Sequence, residues 1–564
     1  MKPKNYFLLL CLLYLPFSLF SQSFQWGGQF GGIGEDVVKK MHVDADGNSY
    51  TTGYFTDTAD FDITNDEFNL TAVGWYDVFV QKTNAAGELV WAVSVGSAMF
   101  DYGTGITTDG QGNVYITGYF DETADFDPGA GEALLTSQGG GDIFILKLDS
   151  DGQFIWAKSI GGADYEESTS IGVDELGNVY VLGYLYETMD FDPGVGEVLL
   201  SSQGGSDTFL LKLDSMGNYE NVFTYGGDGL DLALDMFVKS STQIFITGFF
   251  DGTTDLDPRP MEEYPLTATG DFSGYALQID DEGNILNVAH TQGGFVNVYA
   301  LAADAENNIY MAGTFSGTVS FDPATGNPDF TFTSNLAYNG FVMKVLADGT
   351  VSWARHLTSE NPYFTYDIAL GPDGSLFTAG FFEGTADFNP DAAEEFLLTK
   401  QSVNVTDAYM LQLDNQGMFR NAYQFGGVGF IDTHQLGVDN DNNVYLSAQF
   451  EASVDINPLP QQAETVSALD FRDNYLIKME MGVLGVPSIP NQSIAIYPNP
   501  ATETLNVQGK MNLMNEAYVI HNLLGQKIFQ GVLNEANTID VSVLQPGVYL
   551  LNFSTQEAIK FIKQ

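Results

Sequence analysis

The sequence predicts an all-β chain. A seven-bladed β-propeller, closed by its N-terminal strand, is expected over residues 22–482, with a small β-sandwich behind it. Three observations carry this expectation. One strand pattern recurs seven times at nearly constant spacing. The chain opens on a strand that its last repeat lacks. Composition changes after residue 482.

The recurring block is GNSYTTGYF at Gly47–Phe55, GNVYITGYF at Gly112–Phe120, and five further copies ending at Leu185, Phe250, Phe315, Phe382 and Phe450. Its interior glycines are Gly53, Gly118, Gly183, Gly248, Gly313 and Gly380, with Ala448 in the seventh copy. So regular a period means one supersecondary unit built repeatedly.

The third unit illustrates the unit's content. Ser170–Asp174 and Val179–Leu185 read as strands around a Gly-Asn turn, and Tyr186–Asp207 as a long loop. Thr208–Leu213 and Tyr219–Tyr225 read as strands around Asp214–Gly217. Four strands joined by Asp/Gly/Asn turns form an antiparallel meander. The third strand is nearly all apolar, as in IFILKL at Ile143–Leu148, so both its faces need cover. Sheets packed radially around an axis supply that cover.

The ends of the array argue for closure. Phe24–Gly32 matches the fourth strand elsewhere, such as Phe154–Gly162, whereas the seventh unit stops after a third strand at Asn474–Met479. Pairing the two would remove free edges. Trp26, Trp91, Trp156 and Trp353 share one position in the fourth strand, and Asn221 and Asn421 replace the Trp in other blades. That variation reads as a packing preference.

Composition narrows the function. The 564 residues carry 74 Asp plus Glu against 20 Lys plus Arg, a net charge of −54. Such charge opposes nucleic-acid binding and suits a solvated extracellular surface. Lys2, Lys4 and the apolar run Tyr6–Phe20 read as a secretory signal over residues 1–21, cleaved near Ser21–Gln22. The single cysteine, Cys11, lies inside it, so no disulfide is expected in the mature chain. No later run is apolar and long enough to span a membrane.

The repeat resembles the bacterial SBBP-type β-propeller repeat. The matching segments are G-N-x-Y-x-x-G-x-F, T-A-D-F-D-P, D-x-F-x-x-K-L-D and W-A-x-x-x-G-G, and the resemblance implies no single activity. After a linker at residues 483–492, the tail 493–564 carries Tyr497-Pro-Asn-Pro500, Asn522-Leu-Leu-Gly-Gln526, Leu544-Gln-Pro-Gly-Val-Tyr549 and Lys560-Phe-Ile-Lys563. Together these resemble the type A (Por-type) C-terminal sorting domain of the Bacteroidetes type IX secretion system. That resemblance implies the secretion machinery as a partner. It also implies export, and release from the cell or attachment to its surface.

Candidate chemistry centres on the long loop. Asp60 and Asp62, Asp125 and Asp127, Asp190 and Asp192, and Asp255 and Asp257 form Asp-x-Asp pairs, and units five to seven each lose one carboxylate. Carboxylates at i and i+2 on an extended chain point the same way and could hold calcium, with carbonyls completing the shell. Alternatively each Asp caps its own loop's amides ahead of a Pro turn. The turns Asp44–Asn48 and Asp439–Asn443 imitate the start of an EF-hand but reach Phe, not Glu, at the twelfth position, so they read as hairpin turns. His42, His290, His356 and His434 fall at unrelated repeat positions, and no catalytic residue is expected.

The expectation is therefore a secreted or surface-displayed, non-catalytic, monomeric propeller that binds a glycan polymer or surface protein through its long-loop face. The alternative is an extracellular polysaccharide hydrolase or lyase with its site at the axis. The sixth unit's long loop, through Lys400–Asp407, is the place such an enzyme would depart from the repeat.

Overall fold

The computed structural model describes residues 22–481, except 65, 260, 392, 402–405 and 460–462. In the tail it describes 494–497, 501–509, 517–522, 527–533, 537–545, 547–553 and 559–563. Residues 1–21, read from sequence as a signal, residues 483–492, read as a linker, and the core of the sixth long loop lie outside the described residues. The chain divides into two compact units, Met1–Gly482 and Val483–Gln564. Among the described residues there is no α-helix, and one 3-10 turn spans Pro328–Phe330.

Among the described residues of the first unit, seven antiparallel ladders of four strands can be traced, termed I to VII here, and a long-loop hairpin extends three of them to six-stranded sheets. Their first strands are Val37–Val43, Tyr102–Thr108, Glu167–Val173, Asp231–Ser240, Phe295–Ala303, Tyr363–Leu370 and Ile431–Val438. In sheets I to VI the strands follow chain order. In sheet VII the fourth strand is Ser23–Gly32, which pairs antiparallel with Asp473–Glu480 from Ser23 opposite Glu480 to Phe30 opposite Asn474. The strand missing from the seventh repeat is thus the one that opens the chain.

Second and third strands are buried along nearly their whole length, as in Val114–Phe120 and Asp142–Leu148. Their apolar runs face neighbours on both sides, because the hydrophobic clusters form between consecutive sheets. One cluster joins Phe55 and Phe79 of sheet I to Tyr445 and Leu476 of sheet VII.

Polar links repeat at the same boundaries. Trp91 Nε1 donates to the Ser150 carbonyl in the next sheet's turn at 3.0 Å, Trp353 to Asn415 at 3.1 Å, and Trp26 of sheet VII to Ala85 of sheet I at 3.1 Å. Asn287 at the same position in sheet IV makes the equivalent bond to Leu346. The tryptophan position is therefore a hydrogen-bonding tie as well as packing. Sheets VII and I are further joined by Val38 N to Asn474 Oδ1 (3.0 Å), Asn474 Nδ2 to the Asp36 carbonyl (2.8 Å) and Tyr445 Oη to the Gly47 carbonyl (2.9 Å).

The long loops differ from the expectation of irregular chain. Most fold into a two-stranded hairpin, such as Thr188–Asp190 with Leu199–Ser201. Each loop's start docks on the end of the preceding sheet's fourth strand: Asp190 on Gly161, Asp255 on Gly226, and Asp60 of sheet I on Gly31 of sheet VII. Gly31 and Gly32 fit this junction, because a Cβ on Gly32 would sit 2.1 Å from the Thr58 carbonyl oxygen.

In the second unit a three-stranded and a four-stranded sheet share a core. Leu505, Val507 and Ile539 from one meet Ile520, Leu551 and Phe561 from the other.

Candidate binding sites

The loop carboxylates are engaged by backbone. Asp190 Oδ1 accepts from Asp192 N (3.1 Å) and Val198 N (2.8 Å), and Asp192 Oδ1 from Gly194 N (2.8 Å). Asp60, Asp125 and Asp255 each accept two amides in the same pattern. Asp62 and Asp127 cap Thr64 N and Gly129 N, and Asp257 also pairs with Arg259 at 2.6 Å. Among the described residues no three or more His, Cys, Asp or Glu side chains come together to hold a metal ion. The residue between the two acids is the anchor: Phe61, Phe126, Phe191 and Leu256 are buried in the core. Phe191→Ala is expected to destabilise by about 3–5 kcal/mol. Asp190→Ala, which orphans two amides, should cost about 1–3 kcal/mol in the same denaturation assay.

The EF-hand-like turns are hairpin turns. Asp44 Oδ1 accepts from Asp46 N and Asn48 N, and Oδ2 from Asn48 Nδ2 and Tyr50 Oη. Asp439 repeats this with Asp441, Asn443 and Tyr445.

A cavity of about 450 Å³ takes its wall from the first strands of all seven sheets. Each of these strands carries a β-bulge, and the residue just past it is Lys40, Gly105, Ser170, Asp235, Ala300, Asp367 or Gln435. Bulges re-aim side chains. Here the polar ones reach the following sheet. Asp235 Oδ2 accepts from Leu301 N (3.2 Å), Asp367 Oδ2 from Leu436 N (2.7 Å), and Gln435 Oε1 of sheet VII from Met41 N of sheet I (3.0 Å).

Lys40 instead crosses to sheet IV, with Nζ 3.0 Å from Asp235 Oδ1. Burial disfavours its charge, but Asp235 and Asp367 outweigh that and hold its pKa above the ordinary lysine value. Burial pushes the Asp367 carboxyl up to about 6 against the pull of Lys40. Burial also lowers His42, on the same wall, to about 4, so it is neutral at pH 7. Breaking such a pair by removing the cation costs about 3–5 kcal/mol.

Sequence reasoning missed this cluster. The signal was present, since all seven residues lie thirteen positions ahead of the interior Gly or Ala448. The column mixes Lys, Gly, Ser, Asp, Ala, Asp and Gln, so no shared residue type marks it.

A second set of buried acids lies at four boundaries. Asp36, Asp101, Glu166 and Asp231 precede or begin first strands, and each feels a carboxylate that opens the preceding sheet's third strand: Asp473, Asp77, Asp142 and Asp207. They clasp backbone, as where Asp36 Oδ2 accepts from Gly32 N at 2.6 Å and Asp231 Oδ2 from Gly227 N at 2.8 Å. At the other three boundaries the first-strand residue is Val296, Tyr363 or Ile431.

Aromatic rings gather where the long loops start and end. Across sheets IV to VI, Phe249, Phe272, Phe295, Tyr338, Phe364 and Phe381 follow one another at centroid distances of 4.9–5.5 Å. Tyr54 stacks on Tyr76 at 4.4 Å, beside Phe100 and the exposed Trp75. Glu167 accepts from Tyr184 Oη (2.6 Å) and Tyr165 Oη (3.1 Å), and Tyr165 meets Tyr102 at 2.6 Å.

Comparison with known proteins gives one domain assignment. Residues 495–564 match the secretion system C-terminal sorting domain. A tail of this kind marks a protein that is secreted or attached at the outer-membrane surface. Among the described residues no helix is long and apolar enough to cross a membrane. The chain is 21% identical to an uncharacterized WD repeat-containing protein of Acanthamoeba polyphaga mimivirus, an alignment covering 84% of this chain. It spans 40% of that relative's length.

Similar solved structures include a protein of unknown function from Dyadobacter fermentans, at 9% identity and TM-score 0.32, covering 68% of this chain and 95% of that one. PorZ, a surface component of the type IX secretion system of Porphyromonas gingivalis, aligns at 11% identity and TM-score 0.18, covering 95% and 100%.

Proposed function

We propose that residues 22–482 form a closed, seven-bladed, SBBP-like β-propeller. On this reading it is exported by the type IX machinery and binds an extracellular polymer or surface protein without catalysis. Closure is supported by the pairing of Ser23–Gly32 with Asp473–Glu480 and by the ties between sheets VII and I. Kinship with a protein named for WD repeats agrees, since such repeats build propellers.

The observation that carries binding is the set of aromatic rings at the long-loop ends, which includes Trp75, 67% exposed, and Phe471 at the seventh loop's end beside Arg472, 56% exposed. Exposed aromatic faces stack on sugar rings and on apolar side chains. The net charge of −54 favours neutral or cationic partners over anionic polymers.

A glycan array probed with wild type and with the Trp75→Ala/Phe471→Ala variant tests this. Binding is expected to fall at least tenfold in the variant. Running the array with and without calcium tests whether the Asp-x-Asp loops take part. Release of product from the bound glycan would instead favour an enzyme.

A further inference from the structure

The seven-strand cavity has a composition that selects a ligand. It lies over the C-terminal halves of the first strands, near the turns that follow them. Its floor is Lys40 with Asp235 and Asp367, one ammonium against two carboxylates. Its sides mix apolar side chains, such as Val43, Phe237, Val238 and Leu370, with polar ones, Thr107, Thr108 and Ser170, in about equal measure. Phe237 is 40% exposed, with its ring stacked on Phe245 at 6.2 Å. Gly172 and Gly437 keep the sides clear, each placed where a Cβ would meet a valine methyl, of Val238 and Val43, at 2.4 and 2.3 Å.

Charge at the rim has the same sign as the floor. Asp44, Asp109, Asp174, Asp304 and Asp439 begin five of the seven following turns, against Lys239 in sheet IV and Lys344 and Lys478, which lie 3.5 Å from Asp304 and Asp439. Asp304 and Asp439 are held below the ordinary aspartate range by amide and Asn hydrogen bonds and by a nearby lysine, which outweigh burial. His42, the remaining titratable group on the wall, adds no positive charge at pH 7. A pocket of this size, with apolar walls on part of its lining and convergent charged groups at one end, suits a small amphiphilic ligand.

We propose that this cavity binds a small ligand with an apolar body and a single cationic amine, the amine directed at the Asp235–Asp367 floor. The site is separate from the long-loop face and does not depend on binding there. The amine could belong to a free small molecule or to a lysine side chain of a partner protein, and the chemistry is shared.

Calorimetric titration of the full chain at pH 7.5 tests this with four probes: phenethylamine, the neutral 2-phenylethanol, phenylacetate, and Nα-acetyl-lysine amide. Phenethylamine is expected to bind at least tenfold more tightly than either other phenyl probe. Asp367→Asn should remove that preference, and Phe237→Ala should weaken all three phenyl probes together. Lys40→Met, if it folds by circular dichroism, should tighten the amine, since the competing ammonium is gone. Comparable affinity of the lysine amide would point to a partner's side chain, and its absence to a free amine. Equal affinity of the three phenyl probes, or tighter binding of phenylacetate, would overturn the proposal, and wild type alone suffices to show it.

Discussion

Removal of Phe24–Gly32 is expected to lower thermal stability far more than removal of an equal length of the linker at 483–492. The strand supplies seven paired positions to sheet VII. It also supplies Phe30, which packs on Phe61 and Phe79 of sheet I, and Trp26, whose indole ties to Ala85. Losing one buried Phe alone costs about 3–5 kcal/mol. The deletion would also bare the polar edge of Asp473–Glu480 and the docking edge for Thr58–Asp60. A loss of about 5 kcal/mol or more is expected by chemical denaturation. Equal midpoints for the two deletions would show that the strand contributes only local packing.

Stability is expected to be higher in mild acid than at pH 8. Burial pushes Asp36, Asp101, Glu166 and Asp231 up to about 7, and the carboxylates facing them add to this. Asp142 and Asp473 rise to about 6 through burial, and Asp77 and Asp207 also rise. The sign follows from proton counting. Between about pH 4 and 7 the folded chain holds protons on these groups that the unfolded chain has released, so stability declines as pH rises through that window and levels above it.

Each boundary pair should contribute a loss on the order of 2 kcal/mol between pH 5 and 8. Asp101→Asn should therefore raise the melting temperature at pH 8 and change it little at pH 5. A melting temperature that climbs steadily from pH 5 to 8, in wild type and variant alike, would contradict this.

Much of the fold was legible because repeats average out local ambiguity. Gly53, Gly118 and their equivalents mark second strands, and the strand boundaries of unit three differ from the expected ones by only a few residues. The displaced fourth strand was legible because Phe24–Gly32 matches the fourth strand elsewhere, such as Phe154–Gly162. The loop hairpins were not, because their three-residue strands carry too little period to register, and they form by docking on the preceding sheet.

The Asp-x-Asp pairs were visible as a pattern, but pattern alone could not separate amide capping from cation binding. That distinction needs the loop to fold back so that Val198 N meets Asp190. The Lys40–Asp235–Asp367 cluster was hidden for another reason. Asp235 and Asp367 are 195 and 327 residues from Lys40, and only the gathering of the repeats' first strands around one cavity brings three different repeats to one point.

The most direct test of the account is a cysteine pair, Ser23→Cys with Glu480→Cys. The two positions face each other across the joining ladder, and their side chains already touch, Oγ to Oε2, at 3.0 Å. The single native cysteine is Cys11, so a double variant beginning at Gln22 carries only the introduced pair. Air oxidation should give a monomeric, intramolecularly bridged protein that resists denaturant better than its reduced form. Two free thiols under oxidising conditions, or bridges that join separate chains, would show that the opening strand does not complete the seventh sheet.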